Sequence, residues 1–169
     1  MITPIVDPLR EETVVSYIRD LARLSEGHYD TDDWVFPTHY HLLLSHGRRF
    51  TPTTPPTNPV GAEPKECYSN AARHARDGLP GHLIYAEGYA LPHGGNVPVG
   101  HAWCVRPDGT VVDPTWADAP GRAYIGVAFR EPQDWPYDGG GILQDWQRAY
   151  PLLKGGLSEG TLLPYGRPL

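Results

Sequence analysis

The chain is poor in cysteine, in long apolar runs and in concentrated positive charge. Its two cysteines, Cys67 and Cys104, stand in a sequence of 169 residues. Two thiols exclude a disulfide framework and a four-cysteine zinc site, but leave a single Cys67–Cys104 disulfide open. No apolar run reaches the roughly 20 residues of a membrane-spanning helix, so we expect no membrane partner. Residues 1–12 lack a basic stretch followed by an apolar one, which predicts no secretory signal and a cytoplasmic protein.

Positive charge is outnumbered, with 14 Lys and Arg against 20 Asp and Glu and a net charge of −6. The densest basic cluster is the pair Arg48 and Arg49. Nucleic-acid binding needs a positive face, so we expect no nucleic-acid partner. The sequence does not indicate an oligomeric state.

Proline and glycine are abundant, at 19 residues each, and they predict a loop-rich protein with short elements. The length predicts a single domain, 1–169, large enough to bury roughly two-thirds of its unfolded surface. Within it we distinguish an N-terminal helical segment (1–50), a proline-rich arm (51–66), a core that carries the chemistry (67–129) and a C-terminal extension (130–169).

Hydrophobic periodicity and turn residues predict the order of the elements. Helices are expected at about 8–24, 67–77 and 141–150, with a short ambiguous segment at 35–44 that Gly47 would end. Strands are expected at 82–91, 101–106, 110–113 and 123–129, followed by an irregular tail. A helix followed by four strands predicts an α+β fold, in which an antiparallel sheet packs against the helix that begins at Cys67.

Three chemically active residues fall at the ends of these elements. Cys67 begins a helix, His101 begins a strand, and Asp113 ends the partner strand of a hairpin that turns at 107–109. A tight turn pairs residues symmetrically, which brings His101 and Asp113 to the same end. The carboxylate can then orient the imidazole, and the imidazole can take the proton of a thiol at a helix N-terminus.

Each residue alone also has a structural interpretation. A lone cysteine is usually a small buried side chain, and an aspartate before proline is often a turn former. Cys67, His101 and Asp113 could together bind zinc, although a His–Asp pair across a hairpin favours a triad. A metal site at the histidines of residues 38–46 is less favoured than one at Cys67, His101 and Asp113, because residues at positions i and i+2 do not share a helix face.

Four motifs resemble one family. ECYSNA from Glu66, IYAEGY, GHAWCV and VVDPTW resemble the core of transglutaminase-like proteins, within the papain-like cysteine enzymes, over about Glu66 to Phe129. The resemblance implies a papain-like core with Cys67 as nucleophile, His101 as base and Asp113 as orienting acid. It also implies no metal or cofactor, and a protein, peptide or small amide as substrate.

The family includes hydrolases such as proteases, amidases and deamidases, acyl transferases, and members that have lost activity. We take hydrolysis through a thioester as the default, with an inactive binding module as the alternative and a zinc protein as the third. In the family a glycine and a small or polar residue often precede the cysteine, where this chain has Lys65 and Glu66. A carboxylate beside Cys67 opposes thiolate formation unless it faces solvent. The residues before the core identify no second oxyanion donor; Asn58, Tyr40 and His41 are candidates.

Five further side chains are candidate substrate contacts. Trp103 is either core or a wall behind the imidazole, Trp116 either shields the Asp113–His101 bond or packs, and His74 lies two helical turns from Cys67. Strand alternation places Cys104 on the face opposite His101, buried and inert. The candidate substrate contacts are Glu87, Tyr89, Trp103, Trp116 and His74.

Overall fold

A computed structural model describes residues 1, 3–54, 63–78 and 81–169. The helices of these residues are α1 (Pro8–Ser25), α2 (His39–His46), α3 (Cys67–Asp77) and α4 (Trp146–Gly155). The strands are β1 (Thr3–Pro4), β2 (Arg48–Phe50), β3 (Thr53–Thr54), β4 (Ile84–Leu91), β5 (Val99–Val105), β6 (Val111–Val112), β7 (Ala123–Phe129), β8 (Leu162–Leu163) and β9 (Arg167–Pro168). This mixed helix and strand content confirms the predicted α+β class.

One sheet organises the chain, with strands in the order β6-β5-β4-β7-β2-β9, and β8 added to β7. Neighbouring strands are antiparallel. The sheet curls, because Thr51, just after β2, pairs with Thr110, just before β6. The backbone N–H of Thr51 donates to the carbonyl of Gly109 at 3.0 Å, and that of Val111 donates to the carbonyl of Thr51 at 3.0 Å. The curl therefore brings the hairpin of β5 and β6 toward the end of β2.

The two faces of β5 have different surroundings, as its alternation predicts. Cys104 is fully buried and its thiol donates to a backbone carbonyl of α3 at 3.2 Å. On the other face, the ring of Trp103 packs against Phe50 and Tyr124 at centroid distances of 5.7 and 5.0 Å. His101 shares this face with Trp103. Both cysteines are free thiols, so the structure contains no Cys67–Cys104 disulfide.

Three of the predicted segments share this sheet, whereas β3, in the arm, pairs with β1 in a separate two-stranded antiparallel sheet. β2, from the N-terminal segment, pairs with β7 of the core and with β9 at the end of the chain. The side chain of Arg48 reinforces this contact, because its Nη2 donates to the carbonyl of Gly166 at 2.7 Å. The expectation of an irregular tail is therefore wrong at β8 and β9. Each has two residues, too few to show strand alternation in the sequence. Half of the predicted arm of residues 51–66, positions 55–62, lies outside the described residues.

Helix α4 begins at Trp146 rather than at Gly141. Asp145 is the N-cap, and its side chain accepts a hydrogen bond from the backbone N–H of Arg148 at 3.1 Å. The preceding backbone N–H groups bind the carboxylate of Glu87 instead of starting a helix. Within the described part of the chain, no helix is both long and apolar enough to cross a membrane.

Candidate active site

Cys67 is the first residue of α3, and Glu66 is its N-cap. The backbone N–H of Asn70 donates to the carbonyl of Glu66 at 2.9 Å. The N–H of Cys67 therefore lies in the first turn, ahead of the helical hydrogen bonds, where backbone donors point out of the helix end. The cysteine is 8% exposed, and Glu66 is exposed.

The chain enters α3 through a strained residue. Lys65 has a φ of 67°, a left-handed conformation that glycine adopts easily and a β-carbon disfavours. Behind the entry, the Nδ2 of Asn70 donates to the carbonyl of Glu63 at 2.7 Å and to the Oγ1 of Thr115 at 3.1 Å. Asn70 therefore ties the segment before Cys67 to the loop that follows Asp113.

His101 lies between Cys67 and Asp113. Its Nε2 is 2.8 Å from the Oδ2 of Asp113, and both residues are buried. The ring nitrogen left to face Cys67 is Nδ1. Burial lowers the pKa of His101, but hydrogen bonds to Asp113 and Cys67 and the charges of both outweigh burial and raise the pKa to about 9. The structure thus brings the three predicted catalytic residues together.

Several hydrogen bonds from described residues hold Asp113. Besides His101, the hydroxyl of Tyr124 donates to Oδ2 at 2.8 Å, and the backbone N–H groups of Thr115 and Trp116 donate to Oδ1 at 3.0 Å each. Burial raises the pKa of Asp113. The hydrogen bond and charge of His101, together with the hydrogen bonds from Trp116 and Tyr124, outweigh burial and lower the pKa below its ordinary value. The carboxylate is held ionised and in one orientation, as an orienting acid requires.

Two tryptophans flank the imidazole. The ring of Trp116 lies parallel to His101, at a centroid distance of 3.8 Å and an interplanar angle of 11°. Trp103 lies 6.2 Å away at 22° and is fully buried. Trp116 therefore covers a face of the His101 ring, as a shield would, and Trp103 belongs to the core behind it.

Glu87 is structural rather than exposed to a cleft. It is fully buried, and its Oε2 accepts from the Tyr85 hydroxyl at 2.8 Å and the Ile142 N–H at 2.7 Å. Its Oε1 accepts from the N–H groups of Leu143 at 2.8 Å and Gln144 at 3.2 Å. The predicted substrate contact is corrected here, because both oxygens bind protein groups. The carboxylate holds residues 142–144 against the sheet.

His74 and Tyr89 have different positions relative to the thiol. His74 lies seven residues along α3 from Cys67, about 10 Å at 1.5 Å per residue. Burial lowers the pKa of His74, and the nearby charge that acts on this pKa is that of Asp77. The structure does not bring His74 to the thiol. The Tyr89 hydroxyl lies 3.1 Å from the Nε2 of His39 and accepts from the Nε2 of Gln144 at 3.3 Å. Tyr89 therefore belongs to a group of side chains at the end of β4.

Tyr68 lies near both the Tyr89 group and the thiol of Cys67. Burial raises the pKa of Tyr68, and the nearby acidic groups of Glu87 and Cys67 raise it further. A β-carbon at Gly100, the residue before His101, would lie 3.4 Å from the Tyr68 hydroxyl. Tyr68 thus lies beside both Cys67 and the strand that carries His101.

Among the described residues, no group of three or more His, Cys, Asp or Glu side chains could hold a metal ion. The histidines of α2 face different partners. His39 contacts Tyr89, the Nδ1 of His41 lies 2.9 Å from the Oγ1 of Thr38, and the ring of His46 packs on Phe36.

Comparison with models of protein families, with curated proteins and with solved structures gave no match to this chain. The geometry of the site therefore carries the functional argument.

Sequence reasoning missed Tyr124, which holds Asp113, and Gln144, which lies beside Tyr89. Tyr124 lies opposite Ala90 in the sheet, and only the pairing of β4 with β7 shows that its side chain faces the site. Gln144 comes from the C-terminal extension, where no motif marks it. Of the candidate oxyanion donors, Asn58 lies outside the described residues, and His41 binds Thr38.

Proposed function

We propose that this protein is a cysteine-nucleophile enzyme that acts on an amide, peptide or isopeptide bond through a thioester. The observation that carries the proposal is the position of His101, between Cys67 at the start of a helix and the ionised Asp113. The α3–sheet packing is compatible with the papain-like core that the motifs imply. Both thiols are free, which suits the reducing cytoplasm in which we expect the enzyme to work.

The proposed reaction has two steps. The Sγ of Cys67, whose proton rests on His101 near pH 7, attacks the carbonyl carbon, and the N–H of Cys67 supports the oxyanion. His101 then gives the proton to the leaving nitrogen, the C–N bond breaks and a thioester remains. A water molecule loses a proton to His101 and attacks the thioester, which releases the acid and restores the thiol. An amine in place of water would give transfer instead.

Asp113 acts by position in this scheme. It holds the Nε2 side of the ring, so that Nδ1 faces the thiol, and it stabilises the imidazolium that forms. Tyr124 and the backbone N–H groups of Thr115 and Trp116 hold Asp113 in turn.

Selective alkylation tests the nucleophile. With limiting iodoacetamide near pH 7, we expect Cys67 to react at least tenfold faster than glutathione, a free model thiol. Cys104 serves as the internal reference, because it is buried and burial raises its pKa. We expect His101→Ala to slow the labelling of Cys67 at least tenfold, with folding checked by circular dichroism, and Cys104→Ala to leave it unchanged. Equal, slow labelling of both cysteines would refute the proposal.

An inactive binding module is the second candidate. The small exposure of Cys67, 8%, and the acidic Glu66 beside it favour this alternative. The Glu66 side chain is exposed, and among the described residues it makes no capping hydrogen bond to the helix. Its charge is therefore screened by solvent. A reactive Cys67 that never forms an acyl adduct would favour the binding module.

A further inference from the structure

A pocket of about 500 Å³ is lined by Gln144 and His39, both of which contact the hydroxyl of Tyr89. Its size falls within the roughly 300–1,000 Å³ of small-molecule sites. It is formed by the end of α1 and the residues between α1 and α2, by the start of α2, by residues 143–144 and by one side of α4. Its apolar and aromatic lining includes Tyr29, Trp34, Tyr40, Leu143, Trp146 and Leu153.

Aromatic rings form much of the wall. Trp34 lies 5.6 Å from Trp146 at 32°, and 5.3 Å from Tyr150 at 85°. Trp146 remains 63% exposed and Tyr29 75% exposed. These ring faces meet solvent at the pocket, where a further aromatic group could stack on them.

The pocket reaches the catalytic residues through Gln144. This side chain lines the pocket and donates to the Tyr89 hydroxyl at 3.3 Å. A β-carbon at Gly100 would lie 3.0 Å from the Nε2 of Gln144, so Gln144 packs against the residue that precedes His101. The same β-carbon would lie 3.4 Å from the hydroxyl of Tyr68, the residue after Cys67, so Gly100 and Tyr68 link the pocket to the site.

The inner end of the pocket is uncharged. His39 lines it, and burial lowers the pKa of this histidine to about 4, so its ring is neutral near pH 7. The lining carboxylate, Asp30, is exposed. A neutral inner end among aromatic walls suits an uncharged aromatic group better than a cation.

We propose that this aromatic pocket binds an aromatic side chain of the substrate, next to the amide that Cys67 attacks. This inference rests on the proposed function and names the substrate class: peptides or small amides with a large aromatic group beside the scissile bond. The residues that form the pocket lie in the N-terminal segment and the C-terminal extension. They therefore add specificity to a reaction that the core performs.

Paired alkylating probes test the pocket. The probes are iodoacetamide, 2-iodo-N-(2-phenylethyl)acetamide and the cationic 2-iodo-N-(4-aminobutyl)acetamide. In each case the sulfur of Cys67 displaces iodide from the methylene carbon, and the thiol proton stays on His101. With each rate divided by that for glutathione, we expect the phenylethyl probe to react at least tenfold faster than iodoacetamide and to saturate. Preference for the cationic probe, or no preference, would overturn the inference.

Variants locate the effect. Trp146→Ala removes an exposed wall, and Thr31→Trp fills the pocket from a lining residue in a loop. Each should lower the ratio of phenylethyl to iodoacetamide rates at least fivefold. Tyr137→Ala is the matched control, because Tyr137 is an aromatic residue that is 77% exposed and lies outside the pocket. A ratio that both pocket variants leave unchanged would contradict the inference.

Binding separates this inference from the proposed function. In the Cys67→Ala variant, N-acetylphenylalaninamide should shift the indole NMR signals of Trp34 and Trp146 in a saturable way, whereas N-acetylalaninamide should not. Slow iodoacetamide labelling of Cys67 with this binding intact would refute the proposed function alone. Fast labelling without aromatic binding or preference would overturn the pocket alone.

Discussion

The indole of Trp116 lies parallel to the imidazole of His101, with the ring centroids 3.8 Å apart. Such a stack holds the imidazole in plane and keeps water from the bond between His101 and Asp113. We expect Trp116→Ala to slow iodoacetamide labelling of Cys67 severalfold and to lower the melting temperature. Trp116→Phe should restore part of both losses, because a smaller ring still covers the imidazole. Identical labelling rates for the Ala variant and the unmodified protein would contradict this role.

Asp113→Asn should weaken both the site and the fold. The substitution keeps the shape of the side chain but removes the charge that pairs with His101. Breaking a buried pair costs about 3–5 kcal/mol, so we expect a loss of about 3 kcal/mol in the free energy of unfolding by urea. Labelling of Cys67 should slow at least tenfold.

Asp108→Asn is the matched control for that change. Asp108 lies in the turn of the same hairpin and accepts hydrogen bonds from the N–H and hydroxyl of Thr110. The turn is exposed, so the same chemical change there should cost less than about 1 kcal/mol. Equal losses for the two variants would argue against a special role for Asp113.

The raised pKa of His101 predicts how stability changes with pH. The folded protein holds a proton up to a pKa of about 9, whereas an unfolded histidine releases it near pH 6.5. The stabilisation is therefore complete below about pH 6.5 and is lost as the pH rises toward 9. At about 1.4 kcal/mol per pH unit, the free energy of unfolding should fall by about 3 kcal/mol across this window.

Denaturation with urea at a series of pH values measures this loss. The free energy of unfolding is plotted against pH for the protein and for the His101→Asn variant, in which the other titrating groups remain. The difference between the two slopes is the contribution of His101. A slope that is the same in both would show that His101 does not hold the extra proton.

Lys65 should be replaceable by glycine with a gain in stability. Its φ of 67° costs a residue with a β-carbon about 1–2 kcal/mol. Glycine removes this strain, but the greater freedom of glycine in the unfolded chain offsets part of the gain. We expect Lys65→Gly to raise the free energy of unfolding by about 1 kcal/mol. Glu66→Gly, at a φ of −105°, should lower it. Destabilisation by both variants would show that Lys65 is not strained.

The pairing of His101 with Asp113 could be predicted because its cause is local, since a tight turn joins their strands. The position of Cys67 beside them depends on the packing of α3 against β5, and in the sequence it rested on the motifs that resemble transglutaminase-like proteins. The observed pairing of Cys104 with Val112 agrees with the register that the turn predicts.

The rest of the site depends on long-range contacts that no local pattern contains. Glu87 suggested a cleft residue because it lies on a strand before His101, but three of its partners are backbone groups some 55 residues later. Tyr124 reaches Asp113 only through the pairing of β4 with β7. The pocket joins residues from both ends of the chain, so neither end shows it alone.

The most direct test of the account is the mass of Cys67 after exposure to acyl donors. The protein is incubated with a peptide pool rich in aromatic residues, quenched in acid, digested and analysed by mass spectrometry. The account predicts an acyl adduct on the peptide that contains Cys67, none on the peptide that contains Cys104, and loss of the adduct in His101→Ala. A Cys67 that labels rapidly with iodoacetamide yet carries no adduct from any pool would contradict acyl transfer to this cysteine.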